Sequence, residues 1–298
     1  MDTEFIEAGG LRFETLTSGD PGSDRLALLL HGFPELAYSW RYQIPLLARL
    51  GYRVWAPNQR GYGRTTRPTR RGEYHLDRLL EDTAALIDAS GAKSVTLIGH
   101  DWGGIVAWFF ALRAVRPLDR FVVMNLPHPQ RFHEALQHKA QRRRSRYTIL
   151  FRTPWLAEFL FRLGGARAIG EAFHSMAIDK SRFPPEVLDV YKSAALEPGA
   201  LTAMLNWYRA NAFLSTFAEP LPVLETPTLM IWGEQDTALG KEMTYQTDQL
   251  VRDFTLRYLP DVSHWVQQEA PEAVNEILEA WLTDREVPVF DASEEGPA

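Results

Sequence analysis

The sequence predicts an α/β protein, a mostly parallel and doubly wound sheet with an inserted helical cap. Three observations carry that prediction. Short apolar runs alternate with segments of helical periodicity from Leu26 to Leu126. Between Pro127 and about Pro222 the spacing is helical, with no buried strand legible. Strand-helix alternation resumes at Thr228 and ends near Leu282. The expected organisation is a first core segment over 1–126, a cap over 127–222, a second core segment over 223–284 and an acidic tail over 285–298.

Each element follows from local chemistry. Phe5 to Ala8 and Leu11 to Leu16 flank Gly9-Gly10, a hairpin signal. Leu26 to Leu30 is continuously apolar, as a strand buried on both faces must be, and it ends at His31-Gly32-Phe33-Pro34. Trp40 to Leu50 has helical spacing and stops at Gly51. Val54 to Pro57 reads as a strand, followed by the loop Arg60-Gly61-Tyr62-Gly63-Arg64. Leu76 to Ala89 reads as a helix closed near Gly91. Val95 to Ile98 is a strand, Ile105 to Leu112 a helix and Arg120 to Leu126 a strand. Within the insert, Phe183-Pro184-Pro185 breaks the helical pattern, and Arg142-Arg143-Arg144 reads as a solvated helix face rather than an anion site. Thr228 to Trp232 and Phe254 to Leu259 read as strands, and Pro271 to Leu282 as the last helix. The tail from Asp284 to Ala298 is acidic, contains proline and is expected to be mobile.

The 298 residues, 45% hydrophobic, suffice for one large core with an inserted unit. A net charge of −6 and a pI near 5.8 argue against a general binder of nucleic acid or anionic membranes. The chain has no cysteine, which excludes disulfides, thiol nucleophiles and cysteine metal sites. Met1-Asp2-Thr3-Glu4 lacks a basic, then apolar, signal pattern. No uncharged apolar stretch approaches the roughly 18 residues needed to span a bilayer. A cytoplasmic protein without membrane insertion is expected.

The chemistry centres on Gly99-His100-Asp101-Trp102-Gly103, a sharp turn between a strand and a helix. The Gly-x-nucleophile-x-Gly spacing leaves room for a strained turn that lifts the central side chain above the sheet. A carboxylate there suits attack on an sp³ carbon, which gives an ester whose acyl half belongs to the enzyme. Hydrolysis of that ester needs a base, and His264 lies in a loop before the last helix. The chain order nucleophile, acid, histidine places the acid after an intervening strand. Asp236 satisfies it, 28 residues before His264, with Glu234 as the local competitor. Asn125, after the preceding strand, cannot carry the charge. The backbone N–H groups of Phe33 and Trp102 are candidates for an oxyanion hole. Of the other histidines, His31 and His100 are expected to shape their turns. His75, His128, His133, His138 and His174 are expected at the surface or at helix ends, and no pair has metal-ligand spacing.

Gly-His-Asp101-Trp-Gly-Gly and His31-Gly-Phe-Pro-Glu35, continuing through Tyr38-Ser-Trp-Arg-Tyr-Gln-Ile-Pro45, resemble the α/β-hydrolase-fold epoxide hydrolases of soluble and microbial type. Arg60-Gly-Tyr-Gly63 and Asn206-Trp207-Tyr208-Arg209 are similar too, and the likeness runs from about Phe5 to Leu282. The resemblance implies an α/β-hydrolase fold with a helical cap that aims two tyrosines at the nucleophile. Tyr208 matches one by its Asn-Trp-Tyr-Arg setting. Tyr147, in Tyr147-Thr-Ile-Leu-Phe-Arg-Thr-Pro154, matches the other more loosely, because the family often has Gln where Arg152 stands. It also implies a cis peptide at Phe33-Pro34, and a pocket to which Trp102, Phe33 and Pro34 contribute.

The expected reaction is opening of a lipophilic epoxide to a vicinal diol. Asp101 attacks, Tyr147 and Tyr208 hold the ring oxygen, and His264 with Asp236 activates water. The expected partners are a small epoxide and water; no metal or organic cofactor and no nucleic acid enters, and the protein is a monomer or homodimer. The closest rival is a haloalkane dehalogenase, in which the same Asp101 and His264 would act and the Trp102 indole would hold a halide. A rival of another class is a catalytically silent ligand-binding protein with a vestigial triad.

Overall fold

In the computed structural model, which describes residues 1–211 and 221–290, one sheet of eight strands organises the chain. The strands are β1 (Asp2–Ala8), β2 (Leu11–Ser18), β3 (Arg25–Leu30), β4 (Arg53–Pro57), β5 (Ser94–His100), β6 (Arg120–Met124), β7 (Thr228–Gly233) and β8 (Phe254–Leu259). Their order is β1-β2-β4-β3-β5-β6-β7-β8. The first two strands form an antiparallel hairpin, β2 pairs antiparallel with β4, and the remaining pairs are parallel. β5 sits between β3 and β6, with Leu30 opposite Gly99 and His100 opposite Met124. That register lines up the carboxyl ends of β3, β5 and β6, where an open parallel sheet offers its crevice.

Both faces of the parallel part are covered, which is why its strands are continuously apolar. Alternate residues enter two cores. Leu28, Leu30 and Leu97 pack beneath α2 (Leu76–Ser90) and α3 (Trp102–Leu112). Ala27, Leu29 and Ile98 pack beneath α1 (Gln43–Arg49) and α11 (Pro271–Leu282). α2 closes where Gly91 takes the left-handed φ of 65°, which ends the helix without a Cβ clash.

Between β6 and β7 the described chain is helical. It forms α4 (Pro129–Leu136), α5 (Lys139–Arg144), α6 (Tyr147–Phe151), α7 (Leu156–Met176), α8 (Pro185–Leu196) and α9 (Ala200–Ala210), and it contributes to the same core as α2 and α3. α7 is two helices in one: Gly164, Gly165 and Ala166 run left-handed and break it. α10 (Val266–Glu269) is a single turn after the His264 loop. Among the described residues no helix is long and apolar enough to cross a membrane.

Several expectations are corrected. The helix expected over Trp40 to Leu50 is a short 3₁₀ turn at Ala37–Trp40 followed by α1. The α3 helix starts at Trp102, directly on the elbow. β6 stops at Met124, because Asn125 turns to φ 40° and bonds sideways. His128 is at a helix end but fully buried: it caps α4 by accepting the Gln130 N–H at 3.2 Å, and its ring meets Trp108 edge-on. The tail is packed at its start, since Arg257 donates to the carbonyls of Val287 and Pro288 and Phe290 lies against the second core. Residues 291–298 of that tail, and 212–220 of the insert, lie outside the described residues.

Candidate active site

Asp101 follows β5 at φ 49° and ψ −120°, a conformation L residues rarely adopt. The strain is held by close backbone packing on both sides. A Cβ on Gly32 would strike the Asp101 side chain, and one on Gly103 would strike the Leu30 carbonyl. Only glycine fits at either point, so the elbow and the turn after β3 are built as one unit.

The carboxylate of Asp101 is gripped at both oxygens. Phe33 N–H donates to Oδ1 at 2.8 Å. Oδ2 faces His264 Nε2 at 3.6 Å. Trp102 opens α3, so its N–H has no intrahelical carbonyl. The Phe33-Pro34 peptide is cis.

His264 Nδ1 is 2.6 Å from Asp236 Oδ2. Asp236 in turn accepts N–H bonds from Ala238 at 2.8 Å and Leu239 at 2.9 Å, and Asn125 Nδ2 donates to it at 2.9 Å. Glu234 is turned away into an ion pair with Lys241. The three strand ends β5, β7 and β8 thus bring Asp101, Asp236 and His264 into one line.

Electrostatics follow from this geometry. Burial pulls the His264 imidazole down, yet the charges and hydrogen bonds of Asp236 and Asp101 outweigh it and raise it to about 10. Burial pushes both carboxyls up, and His264 more than offsets this, holding them below the usual carboxylate range. The resting site is a carboxylate, imidazolium, carboxylate array.

Tyr208, on α9, is buried edge-on against Phe33, Trp102 and Phe151. Tyr147 opens α6 and is 40% exposed, because its ring borders the cavity rather than the packed core. Burial and the nearby Asp101 charge raise both phenols above their usual value, so both are neutral donors at physiological pH.

Two cavities meet at these residues, and Asp101, Tyr147 and Tyr208 line both. The larger, about 350 Å³, is walled by Phe33, Pro34, Phe151, Phe161 and Trp265. The smaller, about 130 Å³, extends past Trp102 toward Ile105 and Leu126. Phe33, Pro34 and Trp102 thus stand in pocket walls. Arg144, expected on a solvated face, also borders the larger cavity and pairs with Glu242 at 3.2 Å; Arg142 and Arg143 are exposed.

Sequence reasoning missed an inner layer. Glu35, fully buried, accepts from Gly32 N–H, Gln267 and Gln268, each at 2.8 Å, and lies 2.7 Å from His100 Nδ1. His100 Nε2 sits 2.9 Å from the His264 carbonyl. Glu35 therefore ties the turn under Phe33 to the loop that carries His264. A glutamate five residues after the end of a buried strand, among apolar neighbours, was the available signal. His31 shapes its turn as expected: its Nε2 accepts Gln59 N–H, leaving Nδ1–H for the Gly32 carbonyl.

The α/β hydrolase fold family matches residues 28–271. Epoxide hydrolase 4 of Homo sapiens is 39% identical over 94% of this chain and 78% of its own length. Epoxide hydrolase 3 of Xenopus tropicalis is 38% identical over 94% and 77%. A mutant epoxide hydrolase from Bacillus megaterium superposes with a TM-score of 0.85 at 28% identity, over 94% of this chain and 100% of that one. By fold, by sequence likeness and by structural likeness, the chain belongs to the α/β-hydrolase fold family and, within it, to the epoxide hydrolases.

Proposed function

We propose that the protein hydrolyses lipophilic epoxides to vicinal diols through an ester on Asp101. The observation that carries this reading is the meeting of one charged carboxylate and two neutral phenols at a single apolar cavity. Asp101 Oδ2 attacks a ring carbon, the C–O bond breaks, and the freed oxygen, held by hydrogen bonds from Tyr147 and Tyr208, takes up one proton while the His264 imidazolium gives one up, so that a neutral hydroxyalkyl ester and a neutral imidazole remain. A phenol donates well to a developing alkoxide and has no comparable use for a departing halide. The Trp102 indole, the group a halide would need, packs edge-on against Tyr208, with ring centroids 5.0 Å apart.

The second step uses the charge that the first removes. Once Asp101 is an ester, it no longer raises the His264 imidazole, which falls back toward its ordinary range and becomes a base. His264, oriented by Asp236, takes a proton from water, and the hydroxide adds to the Asp101 carbonyl carbon. The Oδ1 oxyanion rests on Phe33 N–H, already 2.8 Å away, and on Trp102 N–H. Collapse releases the diol and restores the carboxylate. The organisation into a core over 1–126 and 223–284 with a cap over 127–222 belongs to this reading, with the cap supplying both phenols.

His264→Gln tests it. Base catalysis stops while the carboxylate persists, so the variant accumulates a covalent adduct of enzyme plus epoxide on Asp101. Intact-mass measurement across styrene-type, aliphatic and fatty-acid epoxides reads it out, alongside diol and halide assays of the wild type. A wild type that forms diol while the variant shows no adduct on any of them refutes the two-step scheme.

A further inference from the structure

Among the described residues, six of the large apolar side chains that face solvent cluster in one segment. Ile149, Trp155, Leu156, Phe159, Leu160 and Leu163 all lie within fifteen residues of the chain, and Trp155 is 85% exposed. Leu156, Phe159, Leu160 and Leu163 recur at i, i+3, i+4 and i+7, so the first half of α7 has an apolar stripe turned outward. Its inward stripe is Ala157 and Phe161, and Phe161 walls the active-site cavity. An exposed patch of this kind marks an interaction surface.

The same segment concentrates positive charge. Residues 139–167 hold eight Lys and Arg and one acidic residue, Glu158, in a chain whose net charge is −6. Glu158 is already engaged by Arg209. Lys139, Arg143, Arg146, Arg152 and Arg162 have no carboxylate partner among the described residues. The global charge balance, which argued against anionic surfaces, therefore hides a local excess of the opposite sign.

A third observation gives the patch a use. An open groove between the halves of α7, lined by Leu160, Leu163 and Arg167, shares Ala168 and Ala172 with the cavity that holds Asp101. The groove and the cavity that holds the nucleophile thus share two wall residues.

We propose that this face of the molecule docks on an anionic phospholipid surface, from which lipophilic substrate enters along the groove. Trp155, Phe159 and Leu163 enter the headgroup boundary, and the unpaired arginines bind lipid phosphate and carboxylate groups. A second copy of the chain fits poorly, because a two-fold contact would set the same basic cluster against itself. The docking stands on the patch alone; only the delivery of an epoxide rests on the function proposed above.

Co-sedimentation with vesicles tests it, because no turnover is needed. Wild type pellets with phosphatidylcholine vesicles containing phosphatidylserine, not with phosphatidylcholine alone, and salt releases it. Arg143→Gln with Arg146→Gln lowers the partition coefficient roughly thirtyfold, at about fivefold per arginine. Trp155→Ser with Phe159→Ser also lowers it while turnover of a water-soluble epoxide is kept, which shows that the variant folds. Absence of binding at low salt, or binding indifferent to phosphatidylserine, overturns the proposal. So does a concentration-dependent dimer abolished by Trp155→Ser with Phe159→Ser, which would assign the face to a second copy. Vesicle binding without diol formation would overturn the epoxide reading and leave the docking intact.

Discussion

Two carboxylates flanking one imidazole, at 2.6 and 3.6 Å, are one titrating unit, and the protonation of His264 depends on whether Asp101 is charged. In the free enzyme the imidazole is raised to about 10 by Asp236 and Asp101. The stabilisation from this raised value is complete below the ordinary 6.5 and is lost as pH rises through about 10. For the proposed chemistry the sign is as informative. Alkylation needs an ionised Asp101, whose carboxyl lies below the usual range, so its rate should be flat from about pH 5 to pH 8. Ester hydrolysis needs a neutral His264, so its rate should rise with pH across the same interval. Single-turnover tryptophan fluorescence separates the two phases, and parallel pH profiles would contradict the assignment. Asp101, Asp236 and His264 were readable from spacing because each sits just after a strand of fixed order. Glu35 was not, because its partners His100, Gln267 and Gln268 lie far away in the chain and nothing local announces them.

Strand ends, more than the strands, decide where the acid stands. Asn125 ends β6 with φ 40° and bridges to β7: its Oδ1 accepts Gly233 N–H at 2.9 Å and its Nδ2 donates to Asp236. It was considered for the acid and set aside for lack of charge. Its side chain instead orients the acid that replaced it, a role only the β6–β7 register reveals. Asn125→Ala removes a buried donor to a carboxylate and leaves Gly233 N–H unpaired. The expected cost is about 2 kcal/mol of stability by urea denaturation. Ester hydrolysis should slow about tenfold, while alkylation, which Asp236 serves only indirectly, should change little. Equal loss in both phases would make Asn125 a packing residue. The strands themselves were largely legible, since short apolar and leucine-rich runs admit little else, whereas their order in the sheet was not. The break in α7 was missed although Gly164-Gly165 signals it locally, because apolar residues at helical spacing resume on both sides of it.

The two phenols reach Asp101 from different helices, so their alignment is a property of the whole molecule. Three consecutive residues of α9 enforce it. Trp207 donates its indole N–H to the Arg60 carbonyl at 3.1 Å, and Arg60 forks onto buried Asp82 at 2.6 and 2.7 Å, which anchors α9 to the sheet side. Tyr208 points at the site. Arg209 donates to the Phe151 carbonyl at 3.1 Å and to both oxygens of Glu158 at 2.6 and 2.9 Å, which anchors α6, and with it Tyr147, to the same helix. Asn-Trp-Tyr-Arg is thus a clamp with its working residue in the middle. Arg209→Met alone leaves Glu158 partly buried and unpaired, and should cost about 3 kcal/mol. Adding Glu158→Leu replaces the pair by apolar volume and should return stability to within about 1 kcal/mol of wild type. The double variant still lacks the tie to the Phe151 carbonyl, so α6 is released while the triad is untouched. Its alkylation rate should remain at least about tenfold slow, with ester hydrolysis normal, because misplaced donors act only on the ring oxygen. Urea denaturation and single-turnover kinetics on the same sample decide the matter. Full recovery of alkylation together with stability would mean that Arg209 merely holds the helices together, and that Tyr147 finds its place without it.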